Sequence, residues 1–317
     1  MPGTPVSTRG EAGAAGAAQP ALVTPSLLRD WPLPAAGEDK YSRGSVLVIG
    51  GARATPGAAL LSGAAALRAG AGKLTLAVAE SVAVHVGVAL PECGTVGLPE
   101  TPGGSVTAGG LDLIAPYLDK ADAVLVGPGL DDLDLAEELL RALLGREAAS
   151  GKGNDGGGPA VVLDAYALGA LANVEDQSGP WKGRLILTPN PKEAEILLGR
   201  GLEDLPADVA EIAERYQAVV SCQGLIARPP GDAPEEAELW KITTGYGGLG
   251  TSGSGDVLAG AIAGLRARGT SEAQAACWGT HLHAAAADRL ASRLGPLGFL
   301  ARELADELPA LMLELNT

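Results

Sequence analysis

Short apolar runs recur along this chain, each closed by glycine, proline or a polar residue, with helically patterned stretches between them. Ser45–Gly50 reads SVLVIG, a β-branched run stopped by a second glycine, and predicts a buried strand. An Ala/Leu helix is expected over Ala58–Ala69 and a second strand over Lys73–Val78. Ala123–Val126 is strand-like, stops at Gly127-Pro128-Gly129, and is followed by an acidic helix over Asp131–Leu144. The run Ser150–Pro159, SGKGNDGGGP, reads as a flexible surface loop. Val161–Leu163, Leu185–Leu187 and Ala218–Ser221 give three more short strands separated by helices. Leu225–Ala227 and Leu239–Ile242 form a late strand pair, and the remainder is helical. Such alternation predicts an α/β fold with a mainly parallel sheet covered on both faces. Ligands of such sheets bind beyond the carboxyl ends of the strands.

With 317 residues, 46% of them hydrophobic, the chain can bury a large core. No break in composition marks a linker, so residues 25–317 are expected as one domain, preceded by a disordered Ala/Gly/Pro-rich tail over residues 1–24. That tail lacks the basic start and apolar run of a signal peptide. Glycines and polar residues interrupt every long apolar stretch, which argues against a membrane span. The net charge of −15 argues against nucleic acid or an anionic membrane as partner, because both reward clustered Lys and Arg. A nucleotide remains compatible, since backbone N–H groups and a metal can meet its phosphates locally. Cys93, Cys222 and Cys277 are odd in number and widely spaced, as expected of reduced core thiols in a cytoplasmic protein.

The most informative stretch is Thr251–Gly260, TSGSGDVLAG. Small residues run into an apolar helix whose first N–H groups suit an anion, and one carboxylate stands at the junction. Asp256 would repel a phosphate, yet it is suited to taking a proton from a hydroxyl that attacks one. The alternative is a first-turn acid that serves the helix dipole. Gly57-Ala58-Ala59 opens the first long helix and reads as close packing of small residues, while Gly127-Pro128-Gly129 reads as a sharp turn. Asp164 follows a strand, where it would cap a helix or hold a metal-bound water. His281 and His283, two apart on one helix, point to different faces and form no metal pair.

Together, TGYGGLGTSGSGDVLAG at 244–260, the upstream GARATPGAALLSGAAALRAGAGKLTL, VLVGPGL, VVLDAYAL and LTPNPKEAEILLG, and the downstream ACWGTHLHAAAAD resemble the ADP- or ATP-dependent NAD(P)H-hydrate dehydratases of the ribokinase-like superfamily. The resemblance spans roughly residues 40–312 and rests on several separate motifs. It implies a ribokinase-like three-layer αβα sandwich and a nucleotide-dependent dehydration of the S epimer of hydrated NADH or NADPH. Phosphorylating the hydroxyl on C6 creates a leaving group that the ring nitrogen can expel. On this resemblance Asp256 is the catalytic proton acceptor. Gly57, Ala58, Ala59, Gly127, Gly129 and Asn190 bind substrate together with Asp256. Gln223, Gly224, Gly253, Ser254 and Gly255 bind the nucleotide, ADP in preference to ATP, and Glu193 positions Mg2+ through water. A homotetramer, with a separate NAD(P)H-hydrate epimerase acting on the other epimer, completes the expectation.

The chain departs from the family pattern at several places. Asn190 stands where histidine is usual, and Lys192 where glycine is usual. Cys222-Gln223-Gly224 replaces Leu-Lys-Gly, removing a point charge for phosphate. Tyr246 replaces an asparagine, and its ring could stack on adenine. Two other readings therefore stand beside the dehydratase: a small-molecule kinase of the hydroxymethylpyrimidine or hydroxyethylthiazole type, and a nucleotide-binding paralogue without turnover.

Overall fold

The computed structural model describes residues 19–35, 37–150, 158–230, 238–245 and 247–316. Its centre is a ten-stranded sheet: β1 (Ala21–Val23), β2 (Ser45–Ile49), β3 (Lys73–Ala79), β4 (Gly94–Leu98), β5 (Ala123–Val126), β6 (Ala160–Leu163), β7 (Leu185–Leu187), β8 (Ala218–Cys222), β9 (Leu225–Ala227) and β10 (Leu239–Ile242). The spatial order is β1-β10-β9-β8-β7-β6-β5-β2-β3-β4. Only β9 runs against its neighbours; the other described pairings are parallel.

The two-residue period of the strands sorts side chains into two cores. Val46, Val48, Leu125, Val162, Ile186, Val219 and Ile226 enter one core, while Leu47, Ile49, Val124, Val126, Leu163 and Val220 enter the other. Over the first face lie α1 (Pro25–Asp30), α2 (Pro56–Arg68), α3 (Glu80–Ala89), α9 (Ser254–Ala267), α10 (Glu272–Leu294) and α11 (Ala301–Asn316). Over the second lie α4 (Leu111–Leu118), α5 (Leu133–Ser150), α6 (Tyr166–Asn173), α7 (Pro191–Leu198) and α8 (Leu205–Tyr216). The expected three layers are present.

The expected tail ends earlier than residue 24. Ala21–Val23 pairs in parallel with Trp240–Ile242, and Thr24 caps α1 through its side chain, accepting from Leu27 N at 3.2 Å. Trp31 stacks on Trp240, and its carbonyl accepts from Trp278 Nε1 at 2.9 Å. Residues 1–18 of that segment, and 151–157 of the expected surface loop, lie outside the described residues. The three cysteines are free; Cys222 and Cys277 are buried as expected, whereas Cys93 is only partly buried and not a core thiol.

Glycine explains how α2 and α9 meet. A Cβ on Gly260 would stand 2.1 Å from the carbonyl oxygen of Ser62, and one on Gly264 would stand 2.4 Å from that of Ala66. With no side chain between them, the helices pack backbone to backbone. They run in the same direction, so both amino termini point toward the carboxyl edge of the sheet.

Candidate active site

The sequence-derived candidates among the described residues lie on that edge. Gly127-Pro128-Gly129 follows β5 and interlocks with the turn after β2: Gly51 N donates to Pro128 O and Ala52 N to Gly129 O, each at 2.8 Å. Gly129 has φ +76°, and a Cβ there would meet Thr55 O at 2.4 Å and Ala58 Cβ at 3.1 Å. Gly127, at φ +124°, lies against the Asp164 carbonyl. These two positions exclude a side chain. Gly57, in the first turn of α2, is exposed with open space before it, whereas the Ala59 side chain is fully buried and faces Gly51.

Asp164, at the end of β6, does not cap α6. Ala165 occupies the cap position, with φ 51° and ψ −130°, a conformation L-residues rarely adopt. The Asp164 carboxyl is buried and accepts from Thr188 Oγ1 at 2.8 Å. Burial pushes its pKa up to about 7; the Thr188 hydroxyl opposes that rise, and the carboxylates of Glu193 and Asp256 add to it. Asp164 therefore feels two acids carried by two other elements.

Asn190 and Glu193 form a capping box at the start of α7. Asn190 Oδ1 accepts from Glu193 N at 3.0 Å, and Glu193 Oε2 accepts from Asn190 N at 2.8 Å. This local duty was not anticipated from the sequence, although the N-x-x-E spacing carried the signal. The Asn190 amide nitrogen has no partner among the described residues, and burial raises the Glu193 pKa. Lys192 is exposed on the same turn. Gln223 and Gly224 are a two-residue hairpin joining β8 to β9, with φ 49° and φ 77°. Positive φ at both positions is the type I′ signature, and it explains the glycine independently of any ligand. Tyr246 lies outside the described residues.

At the start of α9, Gly253 is the cap residue in the left-handed conformation, φ 87°, and has no side chain to satisfy the first N–H groups. Ser254 N turns back to Thr251 O at 3.2 Å, and Ser254 Oγ is hydrogen-bonded to His283 Nε2 at 2.9 Å. The N–H groups of Gly253 and Gly255 have no acceptor among the described residues. Asp256 follows in the first turn, its Oδ2 3.8 Å from where a Gly253 Cβ would stand. Burial raises its pKa to about 6, and no described group hydrogen-bonds to its carboxylate. An unbonded, half-buried base beside unsatisfied donors can accept a proton from a hydroxyl held next to an anion.

No three metal-ligating side chains converge at coordinating distance among the described residues. Asp164, Glu193 and Asp256 instead fit an ion that arrives with phosphate and keeps its waters, as Mg2+ does. A separate cavity of about 370 Å³ opens at the opposite edge of the sheet, lined by Arg146, Glu147 and Trp181 among others, and shares no residue with this site.

The profile of the NAD(P)H-hydrate dehydratase family matches residues 46–310. The chain belongs to the NAD(P)H-hydrate dehydratase family. It is 40% identical over 297 residues to the ADP-dependent (S)-NAD(P)H-hydrate dehydratase of Xanthomonas campestris, covering 92% of this chain and 95% of that one. It is 38% identical over 280 residues to the bifunctional NAD(P)H-hydrate repair enzyme Nnr of Moorella thermoacetica, covering 86% of this chain and 50% of that one. The chain thus spans about half the length of the bifunctional relative. Among solved structures, the ADP/ATP-dependent NAD(P)H-hydrate dehydratase of Bacillus subtilis co-crystallized with ATP/Mg2+ superimposes with a TM-score of 0.70 at 26% identity, covering 94% of this chain and 100% of that one. The ribokinase-like fold expected from the motifs is the fold of this family member, a lyase by family.

Proposed function

We propose that this chain dehydrates the S epimer of hydrated NADH and NADPH at the expense of ADP, giving NAD(P)H, AMP and phosphate. The observation that carries this reading is Asp256: a half-buried carboxylate with no donor among the described residues, beside the open N–H groups of Gly253 and Gly255.

Asp256 accepts the proton of the C6 hydroxyl as that oxygen attacks the terminal phosphorus of ADP and the bond to AMP breaks. The N–H groups of Gly253 and Gly255 meet the charge on the transferring phosphoryl, where donors fixed in advance act without reorganising. The ring nitrogen lone pair then expels phosphate from C6, and loss of the C5 proton restores the dihydropyridine. Gly129 and Gly127 let the substrate lie against backbone, Gly57 and Ala58 line the start of α2, and the free amide nitrogen of Asn190 offers a donor to ribose or carboxamide oxygen. Gln223 and Gly224 border the nucleotide. Mg2+ would be held through water by Asp164 and Glu193, and would neutralise phosphate charge.

Two further parts of the reading rest on the family. Bifunctional relatives of twice the length motivate a separate NAD(P)H-hydrate epimerase as partner for the R epimer. No described helix is long and apolar enough to cross a membrane; a cytoplasmic homotetramer is the form we propose. Product analysis tests the reaction. Release of inorganic phosphate in step with NADH supports dehydration, whereas a stable phosphorylated product would make the chain a kinase.

A further inference from the structure

We propose that α10 is the positioning element of the nucleotide site, with His283 and Asp288 pinning the two ends of the segment that runs from Gly245 to Ser254. This rests on the nucleotide-binding reading of that segment. At its far end, His283 Nε2 is hydrogen-bonded to Ser254 Oγ at 2.9 Å, with both side chains buried. At its near end, Asp288 Oδ2 accepts from Gly245 N at 2.8 Å. Gly245, at φ +92°, sits so close to α10 that a Cβ would come within 2.9 Å of Ala284 Cβ. One turn earlier, Thr280 Oγ1 is hydrogen-bonded to Ser221 Oγ at 2.8 Å, just before the Gln223-Gly224 hairpin.

Thr280, Ala284 and Asp288 are spaced by four residues, and His283 adjoins that row, so a single helix face holds all three pieces of backbone. The surrounding residues of that helix are mostly alanine, and Ala284, Ala286 and Ala287 are buried. A buried imidazole in such a setting costs stability unless it is hydrogen-bonded. Burial lowers the His283 pKa to about 4, so the ring stays neutral and contributes one donor and one acceptor rather than a charge. Ser254 is consequently held twice, by His283 through its hydroxyl and by Thr251 O through its N–H. Fixing that residue fixes the direction of the Gly253 and Gly255 N–H groups on either side of it. His283 and Asp288 are positioning residues: they act through the segment and do not touch the reacting atoms.

The test is calorimetry of ADP with Mg2+ on the wild type, His283→Ala, His283→Gln, Ser254→Ala, the His283/Ser254 double alanine variant, and Asp288→Ala, with turnover measured at saturating ADP. Loss of a buried hydrogen bond should weaken ADP binding about five- to tenfold in His283→Ala and in Asp288→Ala. Saturated turnover should fall in the same variants, because the N–H groups of Gly253 and Gly255 also meet the transferring phosphoryl. His283→Gln, which restores a hydrogen-bonding nitrogen, should recover most of the affinity. The double variant should bind no worse than the weaker single one, because the two side chains act as a pair. Folded His283→Ala and Asp288→Ala that bind ADP as the wild type does would overturn the inference alone. A wild type that does not bind ADP would overturn the underlying reading as well. Should His283→Ala fail to fold, Asp288→Ala and His283→Gln carry the same comparison.

Discussion

Thr188 Oγ1 donates a 2.8 Å hydrogen bond to Oδ1 of Asp164, joining the ends of the neighbouring strands β7 and β6 at a buried carboxyl. The Asp164 pKa lies near 7 because burial outweighs that bond. Between the ordinary carboxylate range and pH 7 the unfolded chain therefore binds fewer protons at this position than the folded one, and stability falls as pH rises. Asp164→Asn keeps the acceptor for Thr188 and removes the titration. Its melting temperature should match the wild type near pH 4 and exceed it increasingly toward pH 8, by roughly 2–4 kcal/mol of stability. Turnover should fall in the same variant. Equal melting temperatures across that range would show that Asp164 is not held as described.

The close contact of α2 and α9 predicts a sharp steric response. Gly260→Ala would place a methyl group 2.1 Å from the Ser62 carbonyl oxygen, which is backbone and cannot rotate away. The helices must part, at a cost of about 2 kcal/mol or more. Urea denaturation of Gly260→Ala measures it, and an unchanged midpoint would contradict the packing. Gly255→Ala is the control, since it has open space before it.

Gln223→Lys restores the charge that the family pattern carries. Both residues would sit at the same positive-φ position of the hairpin, so the fold should feel little difference. A charge-assisted contact to phosphate should tighten ADP binding by about 1 kcal/mol or more. Calorimetry decides the matter; unchanged affinity would mean that another cation already serves, with Lys192 the first to examine.

Much of the fold was legible in the sequence, and the exceptions have causes. Ala123–Val126, Leu185–Leu187, Leu225–Ala227 and Leu239–Ile242 appear at the expected bounds, because a short apolar run between glycines and polar residues has little choice but a buried strand. The edge strand Gly94–Leu98 reads GTVGL, whose two glycines conceal it. Ala21–Val23 hid in a segment whose composition looked like a tail. At the site, residue types and order pointed to the edge of the sheet. Pairings between distant residues did not show: Ser254 with His283, Thr188 with Asp164, Gly245 with Asp288. Each joins elements that only the folded sheet brings together. The departure at Asn190 also gained a plain explanation, since asparagine caps a helix well.

As the proposed proton acceptor, Asp256 should set the pH dependence of turnover. Burial raises its pKa to about 6, and a proton acceptor must be ionised to act. The rate should therefore be level above that pH and fall about tenfold per unit well below it. Asp256→Asn should lower turnover by about 100-fold or more and remove this limb, while nucleotide affinity stays level or improves. Near-normal turnover in a slightly destabilised variant would reduce Asp256 to a partner of the helix dipole.

The most direct measurement mixes the protein with the S epimer of hydrated NADH, Mg2+ and ADP, and follows the absorbance of the dihydropyridine ring. Absorbance should return with time, one phosphate and one AMP should appear for each NADH, and the signal should need the nucleotide. Absorbance that stays flat, with a folded protein that binds ADP, would contradict the proposed reaction.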